Sequence, residues 1–178
     1  LQNDGIIKIA PILLEQSKQP LYMARAINFP ESPWYYAMEY LQGGNLAMIP
    51  NQERIPLNLV SSISIKIAQT LIYIHSKGIA HLDIKLENIM LKEPLANNKS
   101  AEPILIDFGV AAQIKQARGT GGTLITMAPE YLRRIRGETP PELYLDLTKL
   151  DIYSLGVVVY RLWTGRYPLD GITEKTIT

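Results

Sequence analysis

Apolar residues recur at Leu59, Val60, Ile63, Ile67, Leu71 and Ile74 within Leu57 to His75, the 3.6-residue period of a long helix that buries one face. Gly78 is the expected stop, because glycine accepts the left-handed conformation that ends helices. A second helical pattern, Asp151 to Trp163, carries Leu155, Val158, Val159 and Leu162 and stops at Gly165 ahead of Pro168. Before the long helix, Gly5 to Leu14 and Trp34 to Met38 are largely apolar runs separated by a stretch containing Pro20, Pro30 and Pro33. They read as strand, irregular connection, strand, ended by Gly43 and Gly44. Ile89 to Leu91 and Ile104 to Ile106 flank the polar turn Glu93 to Glu102, with Pro94, Asn97, Asn98 and Ser100, and predict a hairpin. Gly109 to Thr126 has no sustained period, is rich in Gly, Ala and Thr around Lys115 and Arg118, and reads as a long mobile functional loop.

Composition narrows the function classes. At 178 residues, 47% hydrophobic and 20% charged, the chain fits one soluble globular domain or most of one. With 18 basic and 17 acidic side chains the net charge is +1, so no global field draws it to nucleic acid or to an anionic membrane. No cysteine and only His75 and His81 remove disulfides, thiolate chemistry and histidine-rich metal sites, leaving carboxylates, hydroxyls, amines and amides. No apolar run is expected to be long enough for a bilayer: Lys8 and Glu15 bracket Ile9 to Leu14, and Leu155 to Tyr160 is short. The chain opens on Leu1 with no secretory signal, as expected of a piece of something longer.

The candidate chemistry lies in HLDIKLENIML, His81 to Leu91, which sets Asp83, Lys85 and Asn88 on one loop between a helix and a hairpin. A carboxylate can accept a hydroxyl proton, an ammonium can neutralise a transferring phosphoryl group, and an amide oxygen can ligate magnesium. The same trio also fits a solvated loop with a capping Asp and a turn Asn. After the apolar Ile104 to Ile106 come Asp107, Phe108 and Gly109, a second carboxylate at a strand end. Asn88 and Asp107 together would suffice as protein ligands for one magnesium ion, which completes its shell with phosphate oxygens and water.

These segments resemble the eukaryotic-type protein kinases, serine/threonine branch. HLDIKLEN resembles their catalytic loop, ILIDFG their metal-binding motif, MAPE (Met127 to Glu130) the end of their substrate loop, and DIYSLG (Asp151 to Gly156) the start of their central helix. YYAMEYLQGGNL (Tyr35 to Leu46) looks like the fifth strand and hinge, and NDGIIKI (Asn3 to Ile9) like the approach to the fourth strand. The resemblance implies an α+β, bilobal protein-kinase-like fold, truncated: residues 1–41 as a remnant of the β-rich small lobe, and 42–178 as a mainly helical large lobe. It further implies that Asp83 serves as base or orienter for the substrate hydroxyl, Lys85 meets the γ-phosphate, and Asn88 and Asp107 hold Mg2+. Thr123 would link Asp83 to Lys85, a serine/threonine-kinase feature. ATP would meet Met38 as gatekeeper, the backbone of Glu39 and Leu41, Asn45 near the ribose and Met90 beneath the base, with Lys85, Asn88 and Asp107 toward the phosphates and Glu87 among the cofactor-binding residues. His81 is expected to support Phe108, and Asp151 to hold the catalytic-loop backbone. Arg133, Arg134 and Arg136 read as a solvated face, with recognition of acidic or phosphorylated substrates as the alternative.

Two departures stand out. Leu82 occupies the place where the family usually has an arginine that binds a phosphate on the activation loop, so Thr120 is not expected to be an obligatory activating phosphosite. No segment matches the Gly-rich loop, the strand lysine or its helix glutamate, and Lys8 is in the wrong register to replace that lysine. The expected activity is therefore a protein serine/threonine kinase whose isolated segment is inactive, with a pseudokinase scaffold as the alternative. A small-molecule phosphotransferase shares the Asp, Asn and second Asp but not Thr123 and MAPE. Expected partners are ATP and a protein with a Ser or Thr acceptor, without nucleic acid or membrane contact, in the cytoplasm or in the cytosolic part of a larger protein.

Overall fold

A computed structural model of the chain describes residues 1–13, 19–26, 28–95, 101–113, 122–140 and 144–168. The chain divides into two units, residues 7–41 and residues 1–6 with 42–178. The smaller unit holds β1 (Ile9–Ala10), β2 (Ala24–Arg25), β3 (Trp34–Tyr35) and β4 (Ala37–Met38). β1 pairs antiparallel with β4, Ile9 opposite Met38, and β2 with β3, Ala24 opposite Tyr35. The apolar runs expected as whole strands thus pair over two residues each, with a further bridge between Ile12 and Leu21. Residues 1–6 depart from the expected division: Leu105 N donates to Gly5 O at 2.7 Å, and Ile6 is buried in the core of the larger unit.

In the larger unit α1 (Leu57–Ser76) buries Val60, Ile63, Ile67, Leu71 and Ile74, the face predicted by the pattern. Each such side chain contributes about 1.5–3 kcal/mol when fully removed from water. The helix ends as expected, with Gly78 at φ +75° and its N–H on His75 O. By length and composition alone α1 could cross a membrane, contrary to the expectation that no segment is long enough. In the fold its apolar face packs with residues of α3 and the hairpin, and Lys66 donates to Ala101 O at 2.7 Å.

β5 (Ile79–Ala80) leads into the candidate loop, and β6 (Ile89–Leu91) pairs antiparallel with β7 (Pro103–Leu105), Ile89 opposite Leu105, as the hairpin reading expects. Part of its turn, 96–100, lies outside the described residues. The segment read as a mobile loop begins with β8 (Ala112–Gln113), which pairs antiparallel with β5. Residues 114–121, with Lys115, Arg118 and Thr120, lie outside the described residues.

A short α2 (Pro129–Ile135) places proline at its first position, where a missing N–H costs nothing. α3 (Leu147–Thr164) begins four residues earlier than the pattern suggested, because Asp146 caps it by accepting Thr148 N at 3.0 Å. It ends at Gly165, φ +78°, as expected. One side of α3 carries Asp151, Ser154 and Arg161, all buried. Each reaches a different part of the chain: the segment at His81, the carbonyl of Thr126, and the segment 49–51. Helix α3 is therefore the bar on which three loops are hung.

Candidate active site

The candidate loop is fixed from behind by Asp151, which is fully buried. One carboxylate oxygen accepts the N–H of His81 at 2.9 Å and lies 2.8 Å from His75 Nε2, and the other accepts the N–H of Leu82 at 2.7 Å. These bonds satisfy two backbone donors that would otherwise be stranded away from water. Leu82 takes φ +66°, an unusual conformation for a leucine, and its side chain is buried with Met127, Ala128 and Tyr131. The residue standing where the family has a phosphate-binding arginine is thus a packing residue.

The next residue, Asp83, is 8% exposed and receives donors on both oxygens. Thr123 Oγ1 donates to Oδ1 at 2.7 Å, while Lys85 Nζ at 2.7 Å and Asn88 Nδ2 at 2.9 Å meet Oδ2. Lys85 also donates to Thr123 Oγ1 at 2.9 Å, so the threonine links the carboxylate to the ammonium. Burial pushes the Asp83 carboxyl upward, but the hydrogen bonds from Lys85, Thr123 and Asn88 and the lysine charge outweigh it and hold the group below the ordinary carboxylate range. Asp83 is therefore ionised at neutral pH. Thr123 is positioned by its neighbours: Gly122 has φ +124°, and a Cβ there would meet Leu82 O at 2.7 Å. Behind it, Ser154 donates to Thr126 O at 2.7 Å.

Asn88 spends both amide protons on Asp83, one on the backbone O at 2.8 Å and one on Oδ2. Its Oδ1 is then the atom left for a cation. Asp107 is exposed, sits at φ +58° and accepts Gly109 N on Oδ1 at 3.1 Å. The two residues flank the same hairpin end, where Ile106 N donates to Asn88 O at 3.0 Å. One amide oxygen and one carboxylate are hard oxygen donors of the kind magnesium takes, so the set fits that ion. No cluster of three His, Asp or Glu able to hold a metal occurs among the described residues, so phosphate and water oxygens would have to complete the shell.

Of the residues expected to meet a nucleotide, Asn45 and Met90 are brought together by a bridge beside β6. Asn45 Oδ1 is buried without a hydrogen-bond partner, which fits a hydroxyl donor such as that of a ribose. Glu87 is exposed on the 3-10 turn Leu86–Asn88. Met38, Glu39 and Leu41 belong to the smaller unit, where Glu39 N is already taken by Lys8 O at 3.1 Å. Arg133 and Arg136 are exposed, with Arg136 3.7 Å from Glu138, whereas Arg134 is half-buried, so only two of the three arginines form a solvated face.

His81 is fully buried beside Phe108, ring centroids 4.8 Å apart. Its Nε2 lies 3.0 Å from Ile106 O, so it carries the proton, and Nδ1 accepts Asp83 N at 3.3 Å. Burial lowers its pKa, and the Ile106 carbonyl and the carboxylates of Asp151, Asp83 and Asp107 only partly oppose this. A second proton on Nδ1 would face the Asp83 N–H. Because the unfolded imidazole titrates near pH 6.5, the unfolded chain binds the proton first. His81 is then expected to cost stability as pH falls below about 6.5, by up to about 1.4 kcal/mol per unit. Ring nitrogen NMR shifts should show the neutral Nε2–H tautomer at pH 6; a cationic His81 there would contradict the assignment.

The sequence reading missed His75, Ser154 and Gly122 as supports of the site. Only Gly122 carried a local signal, a glycine directly before Thr123.

A profile described as protein kinase domain matches residues 12–178. The serine/threonine-protein kinase RAD53 of Saccharomyces cerevisiae is 27% identical, covering 98% of this chain and 22% of that protein. The serine/threonine/tyrosine-protein kinase HT1 of Arabidopsis thaliana is 30% identical over 76% of this chain and 32% of its own length. Human receptor-interacting serine/threonine-protein kinase 1 is 27% identical, covering 96% and 24%. The chain thus spans less than a third of the length of these relatives. Among solved structures, the crystal structure of the Rad53 kinase domain and SCD2 matches with a TM-score of 0.69 at 24% identity, covering 99% of this chain and 54% of that one, a likeness of fold.

Proposed function

This chain belongs to the protein kinase domain family, and from that premise we propose that it supplies the phosphoryl-transfer centre of a serine/threonine protein kinase. The γ-phosphoryl group of ATP passes to a Ser or Thr hydroxyl of a protein substrate, ADP leaves, and the hydroxyl proton goes to Asp83. The observation that carries this reading is the closed set Asp83, Thr123 and Lys85, in which one threonine hydroxyl donates to the carboxylate and accepts from the ammonium. Asp83, kept ionised by its donors, orients the substrate hydroxyl and accepts its proton. Lys85 places positive charge where the transferring group would carry negative charge. Asn88 Oδ1 and Asp107 would hold magnesium, which would supply positive charge against that of the phosphates. Asn45 offers its partnerless oxygen to the ribose. ATP as donor suits a cytosolic setting, whether the protein is soluble or anchored.

The test is label transfer from radioactive ATP to a basic protein acceptor, with magnesium, in the intact protein and in its Asp107→Ala variant. Transfer is expected on serine and threonine, falling by at least about a hundredfold in the variant. An intact protein that neither binds nor turns over nucleotide would make the family motifs a retained scaffold for partners.

A further inference from the structure

A cavity of about 420 Å³ lies at the far end of α3, lined by Asn51, Gln52, Arg161, Gly165, Arg166 and Tyr167. Arg161 is ten residues beyond Asp151, about 15 Å down the helix axis. The lining has two arginines and no carboxylate. Arg161 is 1% exposed, and its Nη2 donates to Ile49 O, Pro50 O and Asn51 Oδ1 at 3.1–3.3 Å. Its Nη1 is buried with no partner, and no carboxylate among the described residues pairs with it. A full charge shut away from water with an unmet donor is costly unless an anion answers it. The carbonyls that solvate Nη2, the negative end of α3 and the Tyr167 ring, whose centroid lies 6.0 Å from the guanidinium carbon, offset only part of that charge.

The walls are already in place. Gln52, at φ +68°, donates its N–H to Gly165 O at 3.0 Å, and Ile55 N reaches Leu162 O at 3.3 Å. Gly165 lies so close that a Cβ there would stand 2.9 Å from the Gln52 backbone. Asn51 has spent its oxygen on Arg161, which leaves its amide protons as donors. Arg166 adds a second, exposed guanidinium.

We propose that this cavity is a receptor for a phosphate group, with the Arg161 guanidinium at its back and Arg166 and Asn51 at its mouth. Phosphate is favoured over a carboxylate because its charge of about −1.5 to −2 at pH 7 suits a lining with two guanidinium groups and no carboxylate, and its oxygens accept from several directions. The site lies apart from Asp83 and stands whether or not the chain transfers phosphoryl groups.

The experiment titrates the intact protein with inorganic phosphate, and separately with a phosphoserine peptide, at constant ionic strength. The Nε–H resonances of Arg161 and Arg166 report binding at this cavity and not at Lys85. Saturable shifts are expected, weakened about ten- to a hundredfold by Arg161→Gln and about two- to fivefold by Arg166→Ala. Asn51→Asp, an exposed change, puts a carboxylate at the mouth and is expected to weaken binding at least about tenfold. It carries the test if Arg161→Gln does not fold. A peptide that binds more tightly than phosphate identifies a polypeptide-borne group, and equal affinity a free one; both support the receptor. Absence of saturable shifts with either probe up to about 10 mM, or shifts unchanged in Asn51→Asp, would overturn it, leaving Arg161 as a tether for residues 49–51.

Discussion

Replacing Asp83 by Asn is expected to lower kcat for protein phosphorylation by about 10²- to 10⁴-fold, the range that a positioned general base supplies. The substitution keeps the side-chain shape but removes the proton acceptor. It also breaks the local pairing, because the carboxylate receives Thr123 on one oxygen and Lys85 with Asn88 on the other. An amide must turn its NH2 toward one of these donors. The KM for ATP should change much less than kcat, since the proposed role of Asp83 is on the acceptor hydroxyl. Thr123→Val should lower kcat in the same direction and Thr123→Ser should restore it, because serine keeps the linking hydroxyl. The pH profile adds a check. The Asp83 pKa is held below the ordinary carboxylate range, so its contribution is complete above about pH 4 and is lost only as pH falls further. An Asp83→Asn variant within tenfold of wild type would remove Asp83 from the chemistry.

The largest effect on stability is expected at Asp151. Its carboxylate answers two backbone N–H groups and the ring of His75, all from the segment 75–82, while fully buried itself. Asp151→Ala strands those donors, and breaking a buried charged hydrogen-bond set costs about 3–5 kcal/mol. Against a usual folding stability of about 5–15 kcal/mol, that is about a fifth or more. Urea unfolding should show the midpoint falling accordingly, and activity should fall with it because Leu82 and Asp83 lose their support. Asp151→Asn keeps one carbonyl oxygen and should lie between the two. A loss below about 1 kcal/mol for Asp151→Ala would mean that the loop is held by its apolar neighbours instead.

Much of this protein was legible before any coordinates. The face of α1, its stop at Gly78, the β6–β7 hairpin and the end of α3 at Gly165 follow from periods and turn residues that act within a few positions. The start of α3 was legible in principle, since Asp146 followed by Thr148 is a capping signal, but the apolar pattern drew attention to Asp151 instead. The candidate centre was readable because Asp83, Lys85 and Asn88 fall within six positions and their spacing alone puts them on one loop.

What the tertiary structure decided is everything that spans long separations. The reach of Asp151 to His81 covers seventy positions, that of Thr123 to Asp83 forty, and that of Arg161 to Pro50 more than a hundred. The pairing of β5 with β8 and the transfer of residues 1–6 to the larger unit are of the same kind. Local patterning states which faces want burial and which residues turn; it does not state which distant backbone donor a buried carboxylate will answer. That choice is made when packing removes water, because each stranded N–H or guanidinium must then find its acceptor among whatever the fold has brought within reach. Sequence by itself determined the helices, the hairpin and the chemical groups of the centre, and the packed chain determined their hydrogen-bond partners and left Arg161 Nη1 buried without one.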